Sequence, residues 1–236
     1  MPTLAEAVDL PFQEAIDFLR QKVNIPTQRW SDVWQAGHDR GFMVAGAAKD
    51  ALLQDFRDAV ARAIETGSTL ADFRRDFELI ADQHGWEYTG TPGWRSRIIY
   101  ETNLSTAYAA GRYAQLTEPD TLMAFPYWQY VHSGAAHPRL DHLGWNGLVL
   151  RADDPWWATH YPPNGWRCGC TVRPVGERDL RRMGRRGPDA APPLELRTVN
   201  VPGRGAVEVP KGIDPGWAYN PGATWKRGDV SIPSEG

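Results

Sequence analysis

DPWWATHYPPNGWRCGC, residues 154–170, crowds three kinds of residue into one stretch. Asp154-Pro155 and Pro162-Pro163-Asn164-Gly165 are rigid turn formers. Trp156, Trp157, Tyr161 and Trp166 are large aromatics whose burial dominates local energetics. Cys168 and Cys170 are the chain's two cysteines. His132, His137, Asp141 and His142 lie just upstream and His160 lies inside, so four of the six histidines and both thiols share one span. The chemistry of this chain belongs here.

Working outward, Tyr127-Trp-Gln-Tyr-Val131 alternates like a strand, Gly147–Arg151 is a second short strand and Cys170–Arg173 a third. Their long, turn-rich connections predict a small antiparallel sheet. Upstream, Trp94 to Leu116 reads as one long helix after the break Gly90-Thr-Pro-Gly93, with Ile98, Thr102, Ala109, Tyr113 and Leu116 on one side. Glu101, Asn103 and Arg112 are its polar residues. The sheet is expected to pack on this helix.

Residues 1–90 read as a helical domain. Pro11 starts a helix with Phe12, Ile16, Leu19 and Val23 inward, and Pro26 closes it. Ser31 is placed to cap a helix carrying Trp34, His38 and Phe42. Leu52, Leu53, Phe56, Val60 and Ile64 share a face, and Gly67 offers a left-handed stop. Thr69 and Asp72 form a capping-box pattern ahead of Leu70, Phe73, Phe77 and Ile80, and His84-Gly85 ends the block. Residues 91–176 are then the core domain, and 177–236 a basic segment followed by an extended Pro/Gly-rich arm. Arg178, Arg181, Arg182, Arg185 and Arg186 cluster in that segment as a solvated helix end or a phosphate contact. Trp217, Tyr219 and Trp225 make the arm too aromatic for a disordered tail, so it is expected to dock on its own domain or on a neighbour. The fold class is α+β.

The net charge of −3 and a pI near 6.1 do not mark a general nucleic-acid binder. Two cysteines one residue apart make no disulfide framework, since their Cα spacing and Cβ directions suit a bridge poorly. No apolar run approaches a membrane span and the first residues are acidic, so the expected setting is a cytoplasm.

Thiolates at Cys168 and Cys170 with the imidazole of His142 suit one structural zinc ion, with His132, His137, Asp154 or His160 open as the fourth ligand. The rival reading is hydrolysis: His142 with Asp141 as general base and Arg139 holding a phosphate, in a metal-assisted nuclease or other phosphoryl-processing enzyme. G-x-S-x-G, P-loop and dinucleotide fingerprints are all absent from the sequence. The expectation is that the chain is not an enzyme. A third reading is a binding module built on the Pro-Pro-Asn-Gly turn and its tryptophans.

The order Arg139-x-x-His142-x-x-Trp145-x-Gly147, then DDPWW (153–157), then HYPPNGW-x-C-x-C (160–170), resembles the phage Mu F-like head morphogenesis (minor capsid) family. So do GWRSRIIYETNLSTAYAAGRYAQ (93–115), PFQEAIDFLRQKVNIPT (11–27) and DPGWAYNPG (214–222), so the likeness covers nearly the whole chain. Carried over by position, the motif residues are Glu101, Arg139, His142, Pro163, Asn164, Gly165, Cys168 and Cys170. The chain departs from the family's frequent acidic residue at Asn146, and an amide is no general base, which favours a structural role. The resemblance implies a minor head protein acting with portal and major capsid proteins, some relatives associating with DNA. On that reading the protein resides in the virion head, assembles in the host cytoplasm and touches no membrane. Trp217, Tyr219 and Trp225 would contact partners, and Arg181, Arg182, Arg185 and Arg186 partners or DNA.

Overall fold

The structure, a computed structural model, describes residues 12–227. Helix α1 (Gln13–Arg20) buries Ile16 and Leu19, as its spacing predicts, together with Ala15 and Phe18, while Val23 is exposed. It ends before Val23, contrary to the expected length. Val23 instead starts strand β1 (Val23–Asn24), which pairs in parallel with β2 (Gly41–Phe42), and its N–H bonds to the Arg40 carbonyl at 2.8 Å. Pro11, the expected helix start, lies outside the described residues. The helix expected over Trp34, His38 and Phe42 is also corrected. Only a 3-10 turn, Gln35–Asp39, forms there, because Gln35 is left-handed (φ 46°) and Phe42 is committed to β2. Ser31 caps nothing; its hydroxyl donates to the Pro202 carbonyl at 2.6 Å.

Helices α2 (Asp50–Thr66) and α3 (Leu70–His84) follow their sequence signals closely. Leu52, Leu53, Phe56, Val60 and Ile64 are all buried, and Gly67 ends α2 with φ 69°. Thr69 and Asp72 exchange hydrogen bonds of 3.3 and 2.9 Å as a capping box, while Gly85 closes α3 in the same left-handed conformation. Phe73, Phe77 and Ile80 face inward against Phe56. Each such side chain contributes about 1.5–3 kcal/mol on burial.

Helix α4 (Pro92–Leu116) runs about 37 Å at 1.5 Å per residue. Thr91 caps it, accepting from the Trp94 N–H at 3.3 Å. It serves two cores. Ile99, Ala107 and Ala110 pack with α1–α3, while Ala109, Tyr113 and Leu116 pack over the sheet. The expected single face is thereby corrected: Leu116 is fully buried, whereas Ile98 and Thr102 border an open groove. A helix buried on two sides has no one stripe to read. Gly111 lets α1 approach, since a Cβ there would meet the Phe12 ring at 2.8 Å and the Ala15 nitrogen at 2.9 Å.

After a short helix α5 (Pro119–Ala124), strands β3 (Tyr127–Val131), β4 (Val149–Arg151) and β5 (Thr171–Val175) form an antiparallel sheet with β3 central. Trp128 pairs with Leu150 on one side and Pro174 on the other. Trp128 and Tyr130 are buried, and Tyr113 of α4 meets Trp128 edge-on at 5.6 Å. The sheet does pack on the long helix.

The last fifty or so described residues are more regular than an extended arm. Helix α8 (Glu177–Arg182) follows α6 (Leu140–Gly144) and α7 (Trp157–His160), which lie between the strands. Strands β6 (Leu196–Val201) and β7 (Gly205–Pro210) form a hairpin, and α9 (Pro221–Arg227) follows. Val201-Pro202-Gly203-Arg204 is the hairpin turn, closed by Arg204 N–H to Val201 carbonyl at 3.0 Å with Gly203 at φ 79°. The chain then returns across both cores, and Trp225 of α9 meets Phe18 of α1 edge-on at 5.5 Å.

Candidate functional site

The 154–170 loop covers the inner face of the sheet. Asp154 Oδ1 accepts from the Trp156 N–H at 2.9 Å, and Trp157 Nε1 donates to the Arg151 carbonyl at 2.9 Å. Tyr161 packs edge-on against Trp128 and Tyr113 at 5.7 and 5.4 Å. The Pro162–Pro163 peptide is cis. The turn after it carries Asn164 and then both thiols under α6, which presents His142 from the other side.

His142 Nδ1 lies 3.7 Å from Cys168 Sγ and 3.7 Å from Cys170 Sγ. The three ligand atoms lie within 4.8 Å of one another, and all three residues are buried. His142 Nε2 lies 2.7 Å from the Gly212 carbonyl oxygen. A carbonyl only accepts, so Nε2 carries the proton and the Nδ1 lone pair faces the sulfurs. The Trp145 ring stacks on the imidazole at 5.2 Å.

Backbone N–H groups of Asn164 and Cys170 point at Cys168 Sγ, and the Ser133 N–H and Tyr130 hydroxyl reach Cys170 Sγ. The thiols are tightly coupled. Cys170 is pushed down to about 4, first by a hydrogen bond from Cys168, with the Ser133 N–H adding to it. Cys168, the donor of that bond, is pushed up by it and by burial. The Tyr130 hydroxyl is also pushed up, chiefly by burial, and donates to Asn164 Oδ1 at 2.9 Å. This is a sealed, thiolate-stabilising centre with one imidazole.

None of the residues considered for a fourth ligand joins it. His132 Nδ1 accepts from the Gly134 N–H at 3.0 Å, and Asp154 is spent on Trp156. His160 Nδ1 bonds Thr159 at 2.8 Å and its ring stacks on Trp156 at 4.3 Å. His137 is exposed.

Sequence reasoning missed Asp214. Its Oδ2 accepts from Arg139 Nη2 at 2.8 Å and from the Trp166 N–H at 2.9 Å, while its own N–H bonds the Asn164 carbonyl at 3.0 Å. Gly165 packs against the same carboxylate, which leaves no room for a Cβ. Arg139 further donates to the Trp166 carbonyl at 3.0 Å. Its guanidinium, 38% exposed, is thus paired within the protein. The available signal was the phrase that begins at Asp214, read only as a likeness.

Beside this centre lies a concavity of about 530 Å³ between the 22–45 segment, α4, the loop and the segment around Trp217. Trp30, Trp94, Trp166, Ile98 and Met43 give it apolar walls, and Lys22, Arg95 and Arg167 bring cationic groups to it. No Asp or Glu is among its lining residues. Thr102 Oγ1 and Arg95 Nε, both on its wall, have no hydrogen-bond partner. Burial pulls Lys22 down to about 8, partly offset by Asp39.

A family model described as phage Mu protein F like protein matches residues 54–173, which span α2 to β5. This chain belongs to the phage Mu F-like family. It is 32% identical to "Putative capsid assembly protein F" of Escherichia phage Mu, over 93% of this chain and 56% of that protein. It is 31% identical to "Mu-like prophage FluMu F protein" of Haemophilus influenzae, over 87% of this chain and 55% of that one. The chain therefore spans about half the length of these relatives. No solved structure matches.

In this Mu F-like chain the remaining motif residues hold structure. Glu101 pairs with Arg97 at 2.6 Å and with Arg167 at 3.2 Å, tying α4 to the loop. Gly147 takes φ 86° to turn into β4, and its carbonyl accepts from Gln129 and Arg185 at 3.1 and 3.0 Å. Asn146 Oδ1 accepts from the His132 N–H at 2.9 Å, a role that an aspartate would fill equally. Pro163 and Asn164 are buried.

Of the aromatic residues expected to meet partners, Trp217 and Tyr219 line the concavity and Trp225 is half-buried. Trp217 and Tyr219 are each 6% exposed, Trp217 packs on Trp166 at 5.2 Å, and Trp225 sits against Phe18. Of the arginines, Arg181, Arg182 and Arg186 are exposed, while Arg185 pairs with Asp189.

Proposed function

We propose that this chain is a minor head component of a tailed phage or prophage, acting in head morphogenesis by docking onto portal or major capsid protein. The observation that carries the reading is the similarity, over 93% of this chain, to a protein named for capsid assembly. Assembly in the host cytoplasm and residence in the virion head belong to the same proposal. Among the described residues no helix is long and apolar enough to cross a membrane.

The mechanism proposed is binding without turnover. His142 supports it: the residue is 2% exposed, with one ring nitrogen on a carbonyl and the other on two sulfurs. A general base needs access to a substrate proton. The motif side chains are engaged with one another, and what they leave outward is a fixed surface.

On that surface the groove is the proposed contact. Its tryptophans are rigid anchors of the type that dominates interface energetics. Its occupant is an apolar segment bearing carboxylates, from another head protein, because the charged groups lining it are all cationic. The test is head assembly with Trp94→Ala and Ile98→Glu together. The expected result is a folded chain that is missing from purified heads. Heads carrying the variant at the wild-type level would rule the groove out. A wild-type chain that co-purifies with neither portal nor capsid protein would rule out the function.

A further inference from the structure

We infer that His142 Nδ1, Cys168 Sγ and Cys170 Sγ hold one zinc ion in a closed structural site. Zinc binds thiolate sulfur at about 2.3 Å and imidazole nitrogen at about 2.0–2.1 Å, and a tetrahedron with those arms sets S···N near 3.6 Å. Both S···N distances here are 3.7 Å. The surroundings agree with this: the Gly212 carbonyl holds the proton on Nε2, which fixes the ring orientation and tautomer that a metal-bound histidine needs.

Two soft sulfurs and one borderline nitrogen select zinc over the hard cations, which want oxygen. On binding, each cysteine gives up its thiol proton to solvent, so both sulfurs bind the ion as thiolates. Among the described residues no fourth His, Cys, Asp or Glu joins the group. The site joins α6, the 162–170 loop and, through His142, the turn at Gly212. Burial of all three ligands makes it a staple and closes it to substrate.

The test uses the whole chain, purified reduced and without chelator. Elemental mass spectrometry is expected to find about one zinc per chain, lost in Cys168→Ser and reduced in His142→Gln. Both variants are checked for folding by circular dichroism. Because either could unfold, cobalt(II) is exchanged into the wild-type chain as a second measurement. Thiolate-to-cobalt charge transfer in the near ultraviolet, with intense visible bands of a tetrahedral ion, is the expected spectrum. A wild-type chain that purifies without zinc and takes up neither zinc nor cobalt would overturn the inference. So would copper in place of zinc, or zinc that persists undiminished in folded forms of both variants.

Discussion

Asp214 Oδ2 lies 2.8 Å from Arg139 Nη2, which joins residues 75 positions apart across the mouth of the 162–170 turn. The same oxygen takes the Trp166 N–H, so one carboxylate fixes α6, the loop and the segment after the hairpin. Asp214→Ala leaves the Trp166 N–H without its acceptor and the Arg139 guanidinium without its carboxylate, with only the Trp166 carbonyl remaining to it. It is expected to cost about 2–3 kcal/mol in urea unfolding. Asp214→Asn keeps a neutral acceptor and is expected to cost less. Equal losses in the two variants would show that the charge contributes nothing.

Gly165 and Gly93 make a matched pair. A Cβ on Gly165 would lie 2.6 Å from Asp214 Cγ, and that side chain is pinned by two hydrogen bonds. Gly165→Ala is expected to destabilise by about 1–3 kcal/mol through overpacking. Gly93 sits in the first turn of α4 with open space around it, so Gly93→Ala is expected to stabilise by about 0.5 kcal/mol. Thermal midpoints of the two variants moving in the same direction would contradict the packing described.

His160 predicts a pH dependence. Burial lowers it from 6.5 to about 4 in the fold. Between those values the unfolded chain holds a proton that the folded chain does not, so stability increases with pH. The contribution is complete above about pH 6.5 and is lost as the pH falls towards 4. Thermal melts from pH 7 to 4 are expected to show a shallower decline in His160→Gln than in wild type. Parallel declines would mean that His160 is protonated in the fold.

Trp225 tests whether the C-terminal helix belongs to the N-terminal core. Its ring contacts Phe18, and Gly222 of the same helix lies against Tyr113 of α4. Trp225→Ala is expected to cost about 2 kcal/mol, below the full aromatic truncation because the residue is half-buried. Hydrogen exchange is expected to lose protection in α1 as well as α9. Loss confined to α9 would show that the contact is idle.

Local signals account for what the sequence showed well. The Thr69–Asp72 box and the glycines at 67 and 85 act within a few residues, and α2 and α3 each bury a single stripe. Tyr127–Val131 alternates because one of its faces is buried and the other half-exposed. His142, Cys168 and Cys170 were grouped by residue type, and the structure brings their ligand atoms together. The misses are of another kind. Gly212 acts through a carbonyl, which no side-chain pattern records. Asp214 works at long range. The hairpin was hidden because both its faces are largely exposed, burying only Val201 and Val209 and the proline before the turn at Gly212, although Pro202-Gly203 carried a turn signal. Residues 34–42 have helical spacing, yet β1 claims Phe42 through pairing that only tertiary structure supplies.

The most direct test of the account is binding of the purified chain to purified portal and major capsid proteins of the same phage. The account predicts that one of them binds, and that Trp94→Ala with Ile98→Glu weakens the Kd by at least about tenfold, roughly 1.4 kcal/mol. Binding of neither protein, or the same Kd for wild type and the groove variant, would contradict it.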